Sequence, residues 1–355
     1  MQSAKVGRIF GVDVELHWLS ILFLVMFLFI SIYLFFLMLL LLVSVLLHEL
    51  AHSIVSIRNK IKVNKIILIL PIGGLSVLDK VNIDPKVEFN IAVAGPIMSI
   101  FLGSFFGIFV TFTPPGILTQ VFQFMFEINL LLGVLNLLPA FPTDGGRVFR
   151  SYMERKYTRY KATMLTVKIS KGVMYALMIG TIAYLLVINA SFYYKETLFV
   201  ITLFTIVILY DGAAAEQQTA ELRERAKGIT LRSVVNKDFV LVKPNASIED
   251  LYNKIKLTKR HIAITRAGGS FAYVNLFDRK KLENAKYVAQ LAAAIPNLEI
   301  GTNVVDALSE MENKEVSIAA VVKGKKLIGI LTMQHLTAFI SLHIIHRARS
   351  KARNG

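Results

Sequence analysis

Residues 48–52 read His-Glu-Leu-Ala-His, a spacing that could hold a metal ion. On an α-helix, residues four apart lie on the same face, so His48 and His52 can present two imidazoles to one ion. Glu49 stands beside them and could act as a general base. Residues of these types in this order are typical of zinc hydrolases. The alternative interpretation is two histidines that only close a helix near lipid headgroups.

The segment that precedes this pattern favours the metal site. Residues 16–47 contain no Asp, Glu, Lys or Arg, so the histidines end an apolar stretch that is expected to lie in a membrane. Ionisable side chains are costly at that depth and are usually functional there.

A third metal ligand is expected, because a catalytic zinc usually has three protein ligands and a water molecule. The chain contains no cysteine, so the ligand must be His, Asp or Glu. Residues 136–147 read Asn-Leu-Leu-Pro-Ala-Phe-Pro-Thr-Asp-Gly-Gly-Arg. Their Pro and Gly residues would break a helix and direct the Asp144 carboxylate, a backbone arrangement tolerated in membranes where it lines a protected cavity.

Other acidic residues are weaker candidates for this ligand. Glu127 lies about two to three turns before Asn136, with no helix break beside it, and is predicted to make a polar contact between helices. Asp79 and Asp84 lie in a basic segment, where solvation in a loop is the expected role.

The apolar segments predict about six transmembrane helices. Residues 16–57 would measure about 63 Å as one helix, about twice the thickness of a bilayer core, so two helices with a break in residues 31–36 are expected. The interrupted segment 66–78 is too short to span and predicts a re-entrant β-hairpin. Further spans are predicted at residues 91–113, 117–142, 172–194 and 197–210.

The positive charges predict the orientation of an integral, multi-pass protein of the cell membrane. Lys and Arg cluster after the second and fourth spans and are rare in the opposite loops, so both termini are expected in the cytoplasm. This pattern accounts for the net charge of +16 without a nucleic-acid partner. The N-terminal segment shows no small-residue cleavage site, so the first span is expected to be retained.

The two motifs together carry a family resemblance. The His-Glu-x-x-His pattern followed by Asn-x-x-Pro-x-x-x-x-Asp-Gly-Gly on a second membrane segment resembles the site-2 protease family of intramembrane zinc metalloproteases. Residues 71–74 and 88–96 extend the resemblance, which covers about the first 210 residues.

This resemblance implies a catalytic site and a substrate class. It implies zinc held by His48, His52 and Asp144, Glu49 as the general base, and Asn136 holding the substrate backbone or oxyanion. The implied reaction is cleavage of transmembrane segments of membrane-protein substrates. The edge of the predicted hairpin could pair with an unwound substrate helix, or the hairpin could merely fill space between spans.

The C-terminal half contains an internal repeat. A shift of 56 residues aligns 246–250 with 302–306, and one further residue aligns 272–278 with 329–335. Each copy is predicted as β-α-β-β-α, with helices capped at Ser247 and Asn303, and the pair resembles tandem CBS domains. The expected organisation is a transmembrane metalloprotease domain at 1–215, a linker helix at 216–228, an α/β CBS pair at 229–342 and a basic tail at 343–355.

CBS pairs often bind adenine nucleotides through an Asp and a Thr or Ser three residues earlier. The first copy has Asp278 with Asn275, and the second has Thr332 with His335 at the Asp position. The resemblance therefore implies one site for ATP, ADP or AMP, and the divergence argues against a second. Alternatively, the pair serves only in docking or in formation of a homodimer.

Three functions remain in view at this point. An intramembrane zinc protease regulated by its CBS pair explains every motif. A transporter or channel with CBS sensors should show repeated polar sites or related span halves, and the sequence contains none. A pseudoenzyme that binds substrate helices is disfavoured because Glu49, both histidines and Asp144 are all present.

Overall fold

The computed structural model describes residues 3–70, 73–78, 83–276, 279–314, 316–336, 338–339 and 342. The chain divides into two compact units, Met1–Glu221 and Leu222–Gly355. Several positions singled out above lie outside the described residues: Pro71, Ile72, Asp79, Asp278 and the tail 343–355.

The first unit is mostly helical, as predicted. Among the described residues its helices are α1 (Trp18–Ile30), α2 (Ile32–Arg58), α3 (Pro85–Phe112), α4 (Ile117–Asn136), α5 (Asp144–Met153), α6 (Arg159–Val187) and α7 (Phe192–Arg225). Five of these, α2, α3, α4, α6 and α7, are long and apolar enough to cross a membrane. The prediction of a polytopic helical membrane protein is confirmed.

The first predicted span is shorter than expected. Helix α1 has only 13 residues, because a strand occupies the chain up to His17. The break between the first two helices falls at Ser31, whose extended backbone (φ −165°, ψ 129°) ends α1 and precedes α2. At the other end of the unit, α7 is continuous, so residues 216–225 of the predicted linker extend the last membrane-length helix.

Close contact between α3 and α4 depends on small residues. A Cβ atom at Gly103 or Gly133 would lie within 3.3 Å of backbone atoms of the facing helix, and one at Gly107 would meet the Phe126 ring. Small residues let membrane helices approach closely, which strengthens their van der Waals packing. These two helices therefore form a tight pair beside α2.

A four-stranded sheet accompanies the helices. In spatial order its strands are β1 (Ser3–Ile9), β2 (Val12–His17), β3 (Val63–Ile69) and β4 (Gly73–Leu78). The predicted hairpin is present as the antiparallel pair β3–β4, and β2 joins β3 in parallel. The β1–β2 hairpin was not predicted, because its pairing with β3 depends on residues about 50 positions away. Within the described sheet β4 is an edge strand.

The second unit repeats one topology. Its elements are β5 (Val240–Leu241), α8 (Ile248–Thr258), β6 (Ala263–Ala267), β7 (Ser270–Val274), α9 (Arg279–Asn284), β8 (Ala292–Ala294), β9 (Asn297–Glu299), α10 (Val304–Asn313), β10 (Ile318–Lys323) and β11 (Lys326–Thr332). In the first copy, β6 pairs in parallel with β5 and antiparallel with β7; in the second, β10 pairs in parallel with β9 and antiparallel with β11. The predicted α/β repeat is confirmed.

Both predicted helix caps of the repeat are present. Ser247 and Asp250 form a reciprocal capping box at the start of α8. The side chain of Asn303 accepts a hydrogen bond of 2.9 Å from the N–H of Val305 at the start of α10. Such caps satisfy N–H groups that a helix start leaves unpaired.

Candidate metal centre

Helix α2 places both histidines of the first motif on one buried face. His48 and His52 are 4% and 5% exposed, and their Nε2 atoms lie 3.2 Å apart. One helical turn separates the two residues, so the rings converge without distortion of the helix.

Asp144 completes a three-residue cluster. It is the first residue of α5, and its Oδ2 atom lies 3.1 Å from the Nε2 atom of each histidine. Residues 92 and 96 positions apart in sequence, on two different helices, thus contribute to one point. The sequence motifs predicted this meeting of His48, His52 and Asp144.

The loop before Asp144 is fixed by its own buried core. Phe141 is fully buried, and its N–H donates a hydrogen bond of 2.9 Å to the Ser170 hydroxyl on α6. The Thr143 hydroxyl lies 2.7 Å from the Leu138 carbonyl oxygen and 2.6 Å from that of Ala140. These contacts hold the start of α5, and therefore Asp144, in place.

The two glycines after Asp144 allow the loop to fold back on α5. A Cβ atom at Gly145 would meet the backbone of Leu137 and Leu138, and one at Gly146 would lie 2.8 Å from backbone atoms of Ala140. Real Cβ atoms are not found this close to backbone, so the Asp-Gly-Gly sequence permits the close approach that directs the carboxylate.

Helix α3 orients the two imidazole rings. The Nδ1 atom of His52 lies 2.6 Å from the Ile91 carbonyl oxygen, and Nδ1 of His48 lies 2.9 Å from the Ser99 hydroxyl. Because a carbonyl oxygen only accepts hydrogen bonds, Nδ1 of His52 carries the proton. With the ring neutral, its Nε2 atom presents a lone pair to the cluster, as a metal-ligating histidine does.

The donor set fits a zinc ion. Zinc ligands at about 2.0–2.1 Å in a tetrahedron lie about 3.3 Å apart, close to the separations of 3.1 and 3.2 Å among Nε2 of His48, Nε2 of His52 and Oδ2 of Asp144. A cation would also offset the repulsion among lone pairs that point at one another. Gly95, midway between Ile91 and Ser99 on α3, leaves room for it, since a Cβ there would meet both Nε2 atoms.

Glu49 lies beside this cluster. It is buried, and one of its carboxylate oxygens lies within 4.8 Å of a ring nitrogen of each histidine. Asp144 Oδ2 lies 3.1 Å from both Nε2 atoms, which favours Asp144 as the third ligand and leaves Glu49 as the candidate base. Gly74 of β4 packs against Glu49, since a Cβ there would meet the Glu49 side chain. The edge strand therefore passes next to the candidate base.

Two polar residues of α4 form hydrogen bonds within their own helix. Asn136, the last residue of α4, donates a hydrogen bond of 3.0 Å to the Leu132 carbonyl in its own helix. Glu127 is exposed and accepts a hydrogen bond of 2.5 Å from Gln123, also in α4. The predicted contact of Glu127 with another helix is absent among the described residues.

A buried ion network fastens α5 near its ligand. Arg150 of α5 pairs with Glu88 of α3 and, at 2.7 Å, with Glu216 of α7, while Arg159 of α6 lies 3.0 Å from Glu88. Burial alone would lower the pKa of Arg150, but Glu88 and Glu216 raise it above its usual value, so the residue stays charged. Sequence reasoning did not find this network, although Glu88 belongs to the resemblance.

The structure describes only some of the residues that were predicted to bind a nucleotide. Thr332 ends β11, and its hydroxyl lies 3.2 Å from Nδ1 of His335, which is also 3.1 Å from Nδ2 of Asn236. Asn275 follows β7, and its N–H donates to the Leu291 carbonyl at 3.0 Å. Its predicted companion Asp278 lies outside the described residues.

Two histidines, an aspartate and a glutamate on buried faces of membrane-associated helices define a metallopeptidase type of site. Residues 35–117 and 114–180 match Peptidase family M50, and residues 294–342 match the CBS domain. The chain is 33% identical over 256 residues to a zinc metalloprotease of Methanocaldococcus jannaschii, covering 70% of each protein. The chain belongs to Peptidase family M50.

Two further similarities are more restricted. The protein Rip3 of Mycobacterium tuberculosis is 32% identical over 176 residues, covering 44% of each chain. A solved structure, the site-2 protease from Methanocaldococcus jannaschii, is 33% identical and covers 61% of this chain and 95% of its own, with a TM-score of 0.44. The family match confirms the predicted protease class over the transporter or channel, and the CBS match confirms the second module.

Proposed function

We propose that this protein is an intramembrane zinc endopeptidase that cleaves within or near transmembrane segments of membrane-protein substrates. The observation that carries the proposal is the convergence of His48, His52 and Asp144, at 3.1–3.2 Å, beside Glu49 on a membrane-length helix. Family membership supports peptide hydrolysis as the reaction, and the position of α2 supports a membrane substrate.

In this mechanism each residue has a defined task. His48, His52 and Asp144 would hold the ion, while Ser99 and the Ile91 carbonyl keep the rings oriented. A bound zinc ion supplies Lewis acidity, which polarises a carbonyl group and acidifies a water molecule. Glu49 takes a proton from the attacking water and delivers a proton to the leaving amine. Burial of Glu49 keeps competing solvent away from this carboxylate.

Substrate binding is proposed at the edge of β4. A peptide bond in a helix hides its carbonyl in internal hydrogen bonds, so the substrate must unwind before hydrolysis. Within the described sheet β4 is an edge strand, and an edge strand can pair with an extended segment. Because Gly74 of β4 packs against Glu49, a substrate strand added there would pass beside the base. Asn136 could then hold the substrate backbone if its amide leaves the Leu132 carbonyl.

The orientation in the membrane is proposed from charge. Lys and Arg concentrate in the segments after α2 and α4, which supports a cytoplasmic location for these segments and for both termini. The cluster at the end of α2 and start of α5 would then be reached by water from the cytoplasmic side.

Metal analysis tests the ligand set. The purified protein should hold about one zinc per chain, and Asp144→Ala should lower the occupancy because it removes one of three ligands. Glu127→Ala is the matched control and should leave zinc content unchanged. Loss of zinc in Glu127→Ala with retention in Asp144→Ala would reassign the third ligand.

We also propose that one adenine nucleotide binds the CBS pair and regulates cleavage. The duplicated topology supports a nucleotide-binding module. Because the Thr332 hydroxyl already contacts His335, the copy that contains Asn275 and Asp278 is favoured as the binding site. Calorimetry on the full chain should show one site for ATP, ADP or AMP, weakened more by Asp278→Ala than by Thr332→Ala. Absence of binding up to millimolar nucleotide would leave the docking or homodimer role.

A further inference from the structure

Glu127 occupies an unusual position for a carboxylate. It is the eleventh of the 20 residues of α4, about 15 Å from either end of the helix, and its side chain is exposed. In a bilayer with a core of about 30 Å, this depth is close to the midplane. A carboxylate facing hydrocarbon is strongly disfavoured, so such residues normally meet a polar partner.

The carboxylate belongs to a polar face of α4. Thr119, Gln120, Gln123 and Glu127 recur at helical spacing and, with Phe124, line a shallow, open depression on the surface of this helix. We call these four residues the polar face of α4. A second open depression shares Gln123 and continues along α3, where its lining includes Ser104 and Thr111. Small side chains of this kind let another helix approach closely.

The polar face points away from the metal centre. On α4, Met125 and Asn129 are buried, and Asn129 donates a hydrogen bond of 3.0 Å to Ser44 on α2. Glu127 lies two residues from each of them, about 200° around the helix. A substrate seated at the metal ligands of α2 therefore does not cover this face.

We propose that the polar face of α4 docks a transmembrane helix of a second membrane protein, one that carries Lys or Arg near the bilayer midplane. An ammonium or guanidinium group would pair with Glu127, a charge-assisted contact that is strong where water is excluded. A second copy of this chain fits less well. In a two-fold contact through α4, the facing helix carries no Lys or Arg and would bring a second Glu127 to the same depth. Lys168 and Lys171 lie on α6, so a contact of α4 with α6 of a second copy is the outcome that a self-association measurement tests.

The experiment uses the full chain in liposomes with a synthetic leucine-based transmembrane helix that contains one central lysine. Because the chain has no cysteine, a single Val187→Cys change provides a site for a fluorescent label. Energy transfer should show that the lysine helix binds about tenfold more tightly than an all-leucine helix. Glu127→Leu should abolish this difference, whereas Ile179→Ala, at an exposed position of α6, should preserve it.

Two results would overturn the proposal. One is equal binding of the lysine helix by wild type and Glu127→Leu, with both proteins retaining their zinc and thus their fold. The other is self-association of the chain that requires Glu127 and occurs without the peptide, which would make a second copy the occupant.

Discussion

Gly95→Ala should expel the metal ion without removing any ligand. Gly95 faces the two histidines from α3, and a Cβ atom built there would meet Nε2 of both His48 and His52. The added methyl group would therefore occupy the space in which an ion has to sit. Alanine is compatible with a helix, so the backbone of α3 should be unaffected.

The expected loss of metal affinity can be worked from the packing. Forcing a methyl group into a well-packed site typically costs about 1–3 kcal/mol. If this cost falls on the metal-bound state, the dissociation constant for zinc should rise about 5- to 150-fold. Competition with a chromophoric zinc chelator on the detergent-solubilised protein would measure this change, and proteolysis at limiting zinc should fall in parallel.

The control for this experiment is Gly180→Ala. Gly180 lies in the membrane-length helix α6, and a Cβ atom there has no neighbouring atom within 4 Å. This variant should bind zinc like wild type. If Gly95→Ala also bound zinc and cleaved substrate like wild type, the ligand atoms would not meet where the structure places them.

Two further substitutions test the position of the candidate base and the attachment of the helix that carries Asp144. Gly74→Ala should lower kcat with zinc retained, because its Cβ would displace Glu49 rather than a ligand. The control is Gly7→Ala, where an added Cβ meets no atom within 4 Å. An unchanged kcat in Gly74→Ala would show that β4 does not position the base. Arg150→Met should destabilise the protein by about 3–5 kcal/mol and weaken zinc binding, because it leaves Glu88 buried with an incomplete set of partners. Arg155→Met should change neither thermal stability nor zinc affinity, and an Arg150→Met protein as stable as this control would contradict the role of the network.

The candidate ligands could be predicted from sequence because each is encoded locally. His48 and His52 are one turn apart on a single helix, and Asp144 stands among Pro and Gly residues that interrupt the following segment. The repeat of the second unit was likewise visible as two aligned stretches with capped helices. Local spacing was sufficient for these features.

The features that were missed depend on packing between distant segments. The contacts of Ile91 and Ser99 with the imidazole rings of His52 and His48 require α3 to lie against α2. The spacing of Ile91, Gly95 and Ser99 at every fourth residue could have indicated that these three residues share one face of a helix. The network around Arg150 combines charges from four helices. Strand β2 likewise forms through pairing with the later strand β3, which shortens α1 relative to the apolar run.

Comparison of wild type with Glu49→Gln tests the central claim most directly. The substitution preserves side-chain size and leaves His48, His52 and Asp144 in place, but it removes the base. Because general-base catalysis contributes typically about 10²–10⁴-fold, cleavage of a transmembrane substrate in liposomes should fall to about a hundredth or less, with zinc content unchanged. Near-wild-type cleavage by zinc-loaded Glu49→Gln would contradict the catalytic assignment.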